Sequence, residues 1–113
     1  MPRIEEYRFG HVVVDGAEQT RDVIVLPDRV LTNWRRADGH QLGLGDLGRV
    51  IDELPERLIV GTGAYGRMRP EPEALRELGE RGIEVEALPT DEAVRRYSEL
   101  DPRRTAAALH LTC

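Results

Sequence analysis

The residue pattern predicts an α/β fold: one compact domain on a central mixed sheet, with an antiparallel, β-rich N-terminal half and a parallel βαβαβ C-terminal half. Three observations carry this. A chain of 113 residues fits a single domain, residues 1–113. Its first third consists of short β-branched runs split by turn residues. Its second half alternates buried-strand runs with helical apolar stripes, an order that calls for parallel pairing through crossovers.

Tyr7 and Phe9 alternate with Glu6 and Arg8, Gly10 breaks the run, and His11 to Val14 continue it. Asp15-Gly16 is a hairpin-turn signal. Val23-Ile24-Val25-Leu26 reads as a short buried strand within Asp22 to Leu26, and Pro27-Asp28 turns the chain into a further strand, Val30 to Trp34. Short connections make these strands antiparallel neighbours. Leu44, Leu47, Val50, Ile51 and Leu54 lie at helical spacing and predict a helix over about 45–54, stopped by Pro55.

Leu58-Ile59-Val60 is a buried strand that runs into Gly61-Thr62-Gly63. A second helix is predicted from about Glu71, with Ala74, Leu75 and Leu78 inward and Gly82 as its terminal cap. Ile83 to Leu88 reads as a strand with Ile83 and Val85 on one face, Glu84 and Glu86 on the other. Thr90 is placed as the N-cap of a third helix, with Asp91 and Glu92 favouring its dipole. Ala93, Val94, Tyr97 and Leu100 give that helix its stripe and Pro102 ends it; Ala106 to Leu111 read as a final strand, with helix as the alternative for so alanine-rich a run.

Composition excludes several classes. The hydrophobic fraction is 40%, enough for a continuous core, and the net charge of −5 argues against nucleic acid, whose phosphates are held by basic patches. All 16 basic side chains are arginine; without lysine a phosphate-binding P-loop is excluded. A lone cysteine, Cys113, rules out an internal disulfide. Met1-Pro2-Arg3-Ile4 opens no apolar run and no segment approaches a membrane span, so a cytoplasmic location and no membrane partner are expected.

Gly61-Thr62-Gly63-Ala64-Tyr65-Gly66 matches G-x-G-x-x-G between a strand and a helix, with Glu86 about twenty residues further on, as in dinucleotide sites. Three features oppose that reading. Arg67-Met68-Arg69-Pro70-Glu71-Pro72 separates the last glycine from its helix, Glu71 and Glu73 would repel a phosphate there, and the chain is short for a paired nucleotide fold. The loop is therefore expected to fold tightly over itself where the chain leaves Val60. A small anion held by Arg67 or Arg69 is the rival expectation, with Tyr97 or His110 as acid–base candidates.

No catalytic residue set, metal site or cofactor is indicated. His11, His40 and His110 are widely spaced, and His110 with Cys113 offers two ligands at most, too few for a closed zinc site. Trp34-Arg35-Arg36 reads either as an exposed interaction spot or as a core-edge tryptophan beside solvated arginines.

The ordered combination of the glycine loop, Met68, Pro70, Gly82-Ile83-Glu84-Val85-Glu86, Thr90, Ala93, Tyr97 and the closing Ala106-Ala107-Ala108-Leu109-His110-Leu111-Thr112-Cys113 resembles the MTH938-like family of small uncharacterised domains. That family includes an adipogenesis-associated protein and a mitochondrial assembly factor of respiratory complex I. The resemblance runs from about Tyr7 to the C-terminus. It implies a compact α/β fold, no established enzymatic activity and work through protein contacts. It also implies a site of interest at Gly61, Thr62, Gly63, Gly66, Pro70, Thr90, Ala93, Tyr97, His110 and Cys113. This sequence departs from the pattern at Ser98, where relatives often carry Asn, and in a shortened Asp101–Arg104 connection. The expected function is a non-catalytic binding or assembly module with a protein or a second copy of itself as partner. The alternative is a small-anion or nucleotide binder using the loop Gly61, Thr62, Gly63, Tyr65, Gly66, Arg67 and Arg69.

Overall fold

A mixed five-stranded sheet organises the chain in the computed structural model, which describes residues 2–113; Met1 lies outside the described residues. The N-terminal strands β1 (Ile4–Arg8), β2 (His11–Val14) and β3 (Ala17–Gln19) form their own antiparallel meander. Its second turn has both central residues at positive φ, Asp15 at 52° and Gly16 at 80°, the backbone that an Asp-Gly pair favours. The expected run of antiparallel neighbours thus divides. Only β4 (Val23–Val25) and β5 (Val30–Leu31) enter the central sheet.

The predicted strand to Trp34 stops early because Asn33 takes a left-handed φ of 53°, which redirects the chain. Trp34 then turns into the core, its amide donating to the Asp22 carbonyl at 2.8 Å. After β6 (Gln41–Leu42), the predicted helix over 45–54 is replaced by two 3₁₀ turns, Leu44–Leu47 and Ile51–Glu53. The Asp46 carbonyl, which an α-helix would offer to Val50, accepts instead from the Trp34 indole at 2.8 Å, and Val50 bonds to Leu47. Asp46 also spends its carboxylate on the Gly43 and Ala37 amides. Gly45 and Gly48 lower helix propensity in the same stretch, so the apolar spacing is satisfied without a helix.

β7 (Arg57–Thr62), β8 (Arg69–Pro70, paired with β6), α1 (Pro72–Glu80), β9 (Glu84–Leu88), α2 (Thr90–Ser98) and β10 (Thr105–His110) complete the fold. The central order is β5-β4-β10-β7-β9, with β10–β7 and β7–β9 parallel and β10–β4 antiparallel. Alternation along these strands divides the core. Ile24, Leu58, Val60, Ala106 and Ala108 pack with Leu78 of α1, Trp34, Leu42 and Leu47. Val23, Val25, Ile59, Ala107 and Leu109 pack under Ala93 and Tyr97 of α2 and Val12 and Val14 of the meander. β10 is buried along its whole length, as a strand covered on both faces must be. Leu75, expected to face inward, is instead exposed at the edge of α1's stripe. No helix among the described residues is long and apolar enough to cross a membrane.

Candidate functional site

Parallel pairing of β7 with β10 sets Thr62 opposite His110, so the two strands end side by side. The glycine loop leaves at this point, and the carboxyl ends of parallel strands are where open α/β sheets bind ligands. Here the loop is occupied by the protein's own chain. Gly63 donates to Thr90 Oγ1 at 2.8 Å, Ala64 to the Thr112 carbonyl at 2.7 Å, Gly66 to Gly63 and Met68 to Thr62. The Gly63, Ala64 and Gly66 amides, which would have to converge on a phosphate, are thus bonded internally.

The glycines at 61 and 63 answer to close approach. A Cβ on Gly61 would lie 2.9 Å from Thr90 Oγ1. One on Gly63 would lie 2.7 Å from the Thr112 carbonyl oxygen and 2.9 Å from Cδ2 of His110, and φ there is 101°. The space that glycine leaves at 63 is filled by the C-terminal strand's exit and the His110 ring.

Thr90 has a different task from the one its position suggests. Pro89, not Thr90, is the N-cap of α2, and the Thr90 hydroxyl donates to the His110 carbonyl at 2.6 Å while accepting from Gly63. One buried hydroxyl therefore clasps the ends of β7 and β10. The Thr90 amide returns a bond to the Gly63 carbonyl at 3.0 Å.

Other predicted positions disperse. Tyr65, Arg67 and Arg69 are exposed, and Pro70 lies in β8. Arg69 and Pro70 line a hollow shared with Glu71 and Glu73, whose carboxylates oppose an anion. Tyr97 is buried on α2 and borders a separate hollow beside Pro2, Ile4 and Leu100. Its hydroxyl has no partner among the described residues, and burial, helped by Asp15, pushes its pKa up. Cys113 is half-buried. Glu86 is bound to Arg96 at 3.0 Å and Arg57 at 3.2 Å.

His110 belongs to a polar cluster that the sequence does not announce. β4 runs antiparallel to β10, which brings Asp22, just before β4, to the end of β10. Asp22 Oδ2 lies 2.9 Å from His110 Nδ1 and 2.7 Å from an Arg36 guanidinium nitrogen, while Oδ1 accepts from the Leu111 amide at 2.8 Å. The same Nδ1 lies 3.0 Å from a second Arg36 guanidinium nitrogen, so it stands between a group that only accepts and one that only donates, and the ring serves either with its proton on Nδ1 or on Nε2. Burial pushes the Asp22 pKa up, but the hydrogen bonds from His110, Arg36 and Leu111 outweigh it and hold the carboxyl below its ordinary value of 3.8.

Arg36 lies over the Trp34 ring, 5.0 Å from its centroid, with a side chain only 5% exposed. Trp34 is therefore the core-edge residue of the two readings, and Arg36 is paired rather than solvated. Asp22 and Arg36 escaped sequence reading because they lie 88 and 74 positions from His110. The Asp before a buried strand and the Trp-Arg-Arg triplet were the only signals.

A second feature rises from the loop. Tyr65 is 68% exposed and Phe9 53%, with ring centroids 6.2 Å apart and the Arg67 guanidinium 5.8 Å from the Tyr65 centroid.

The chain matches the family model described as "Protein of unknown function (DUF498/DUF598)" over residues 4–110. Among solved structures it is similar to the conserved hypothetical protein PH1505 from Pyrococcus horikoshii OT3, at 32% identity and a TM-score of 0.82, covering 98% of this chain and 99% of that one. It is also similar to MT938, at 28% identity and a TM-score of 0.80 with both chains fully covered. A Mth938-like domain from Bordetella pertussis shares the fold at 24% identity and a TM-score of 0.77, covering 96% of this chain and 85% of that one. With its glycine loop, Thr90 clasp and closing Leu-His-Leu-Thr-Cys in place, the chain belongs to the DUF498/DUF598 family of MTH938-like domains.

Proposed function

We propose that this protein is a non-catalytic binding or assembly module that works in the cytoplasm through protein contacts. The observation that carries the proposal is the exposed Phe9–Tyr65 pair with Arg67, mounted on a loop that is anchored internally through the Gly63, Ala64, Gly66 and Met68 amides. Aromatic rings and arginine dominate the energetic centres of protein interfaces, and a rigid platform lowers the ordering cost of binding. The filled loop and the acids beside Arg69 give the Gly61–Arg69 anion reading less support.

A photo-crosslinking residue in place of Phe9, with one at Leu75, another exposed apolar position, as the control, tests the proposal in the full chain. The expected outcome is a protein adduct of defined mass from position 9 that disappears with Tyr65→Ser. Adducts of equal yield and identity from positions 9 and 75 would refute it.

A further inference from the structure

At the carboxyl end of β10 lies a hollow of about 420 Å³, bordered by Arg21, Asp22, Asn33, Arg35, Arg36 and His110 among others. We propose that it binds a small oxyanion, a carboxylate or a phosphate, between the guanidinium groups of Arg21 and Arg35 above the Asp22–Arg36–His110 cluster. Its size falls in the range of small-molecule sites, and it sits at the strand ends where this class of sheet takes ligands.

Charge supports the assignment first. Three arginines and one carboxylate line the hollow, so it is locally positive on a chain whose net charge is −5. A positive concavity on an acidic protein concentrates anions there. Arg36 neutralises Asp22, and neither Arg21 nor Arg35 makes an ion pair among the described residues. Planar guanidinium groups of this kind grip carboxylate and phosphate oxygens in bidentate fashion.

Preorganisation supports it second. Arg36 is stacked on Trp34, tied to Asp22 and bonded to the Gly39 carbonyl at 3.3 Å. Its Nε is buried with no acceptor among the described residues. A clasp selected for stability alone would not leave a buried donor of a cation unmet. Rigid polar groups kept at a cost in stability are characteristic of sites. Asn33, at a φ of 53°, is also part of the hollow's lining. His110 is fixed on the hollow's wall by Asp22 Oδ2 at 2.9 Å and Arg36 Nη2 at 3.0 Å, both reaching its Nδ1.

The test is a titration of the full chain at low ionic strength with inorganic phosphate and, separately, with succinate. It is read by isothermal calorimetry and by the arginine side-chain NMR signals. Saturable binding of either probe that shifts the Arg21, Arg35 and Arg36 signals is expected, and it should weaken with added salt. Binding of phosphate alone assigns a tetrahedral ligand, and of succinate alone a carboxylate. The double variant Arg21→Ser/Arg35→Ser, altered only at exposed positions, is expected to keep the wild-type melting temperature and bind about tenfold more weakly or worse. Arg67→Ser/Arg69→Ser should bind like wild type. The proposal is overturned if neither probe saturates, if the Arg21/Arg35 variant binds unchanged, or if both double variants lose binding equally. Arg21, Asp22, Arg35, Arg36 and His110 all lie outside the Phe9–Tyr65–Arg67 patch, so either proposal can fail alone.

Discussion

Replacing Thr90 with valine changes the shape of the side chain little but removes the one hydroxyl that joins β7 to β10. In the wild type it is fully buried, accepts from the Gly63 amide at 2.8 Å and donates to the His110 carbonyl at 2.6 Å. Valine leaves the amide buried and unmet, which costs about 1–3 kcal/mol. The carbonyl adds less, because its second lone pair remains. The sum is about 2–4 kcal/mol, and the midpoint of thermal unfolding should fall by roughly 8–16 °C at about 4 °C per kcal/mol. Thr90→Ser separates hydroxyl from methyl: it keeps both bonds and gives up one buried methyl, roughly 1 kcal/mol. Urea unfolding of the three proteins provides the measurement. A Thr90→Val variant within about 0.5 kcal/mol of wild type, or one more stable than Thr90→Ser, contradicts the clasp.

Four further outcomes are expected. Gly63→Ala must place a Cβ 2.7 Å from the Thr112 oxygen at a φ of 101°; backbone strain and the displaced C-terminal segment should together cost about 2–4 kcal/mol and move the His110 ring signals, and unaltered ring signals would count against the packing described. Asp22→Asn strips Arg36 of its buried partner and should destabilise by about 2–3 kcal/mol near neutral pH. Because folding lowers the Asp22 pKa, its contribution is present above the ordinary value of 3.8 and is lost as acid titrates it through the lower folded value. The gap between wild type and Asp22→Asn in urea should therefore narrow below that pH, and a gap as wide in acid as at neutrality would show that the carboxylate charge is not what stabilises. Phe9→Ser/Tyr65→Ser should leave stability within about 0.5 kcal/mol, since both rings are exposed; a larger loss in calorimetry would make the patch structural. Ile59→Ala, in the middle of β7 and fully buried, should cost about 2–5 kcal/mol by denaturant titration.

Wherever local chemistry is strong, sequence alone determined the outcome. Asp15-Gly16 turned the second hairpin, β2 to β3, because that pair tolerates two positive φ angles, and Leu58 to Val60 became a buried strand through a continuous apolar run. Ala93, Val94 and Tyr97 marked the inner face of α2, and Leu100, the last residue of the predicted stripe, packs on the same cluster just past the end of the helix at Ser98. The glycine motif located the end of the central strand, and the order of strand and helix patterns implied the mixed sheet that the family resemblance also implies.

Tertiary structure decided what depended on distant partners. The stripe from Leu44 to Leu54 has helical spacing, yet Trp34's indole takes the carbonyl an α-helix would need there. Thr90 has the sequence signature of a cap, but the nearest unmet groups in the folded chain are Gly63 and His110. Asp22, Arg36 and His110 come from three separate segments and meet only because β4 is antiparallel to β10. Periodicity reports which face of an element is buried; it carries no information on which polar group a fold will bring opposite another, since that is settled by sheet register across the whole chain.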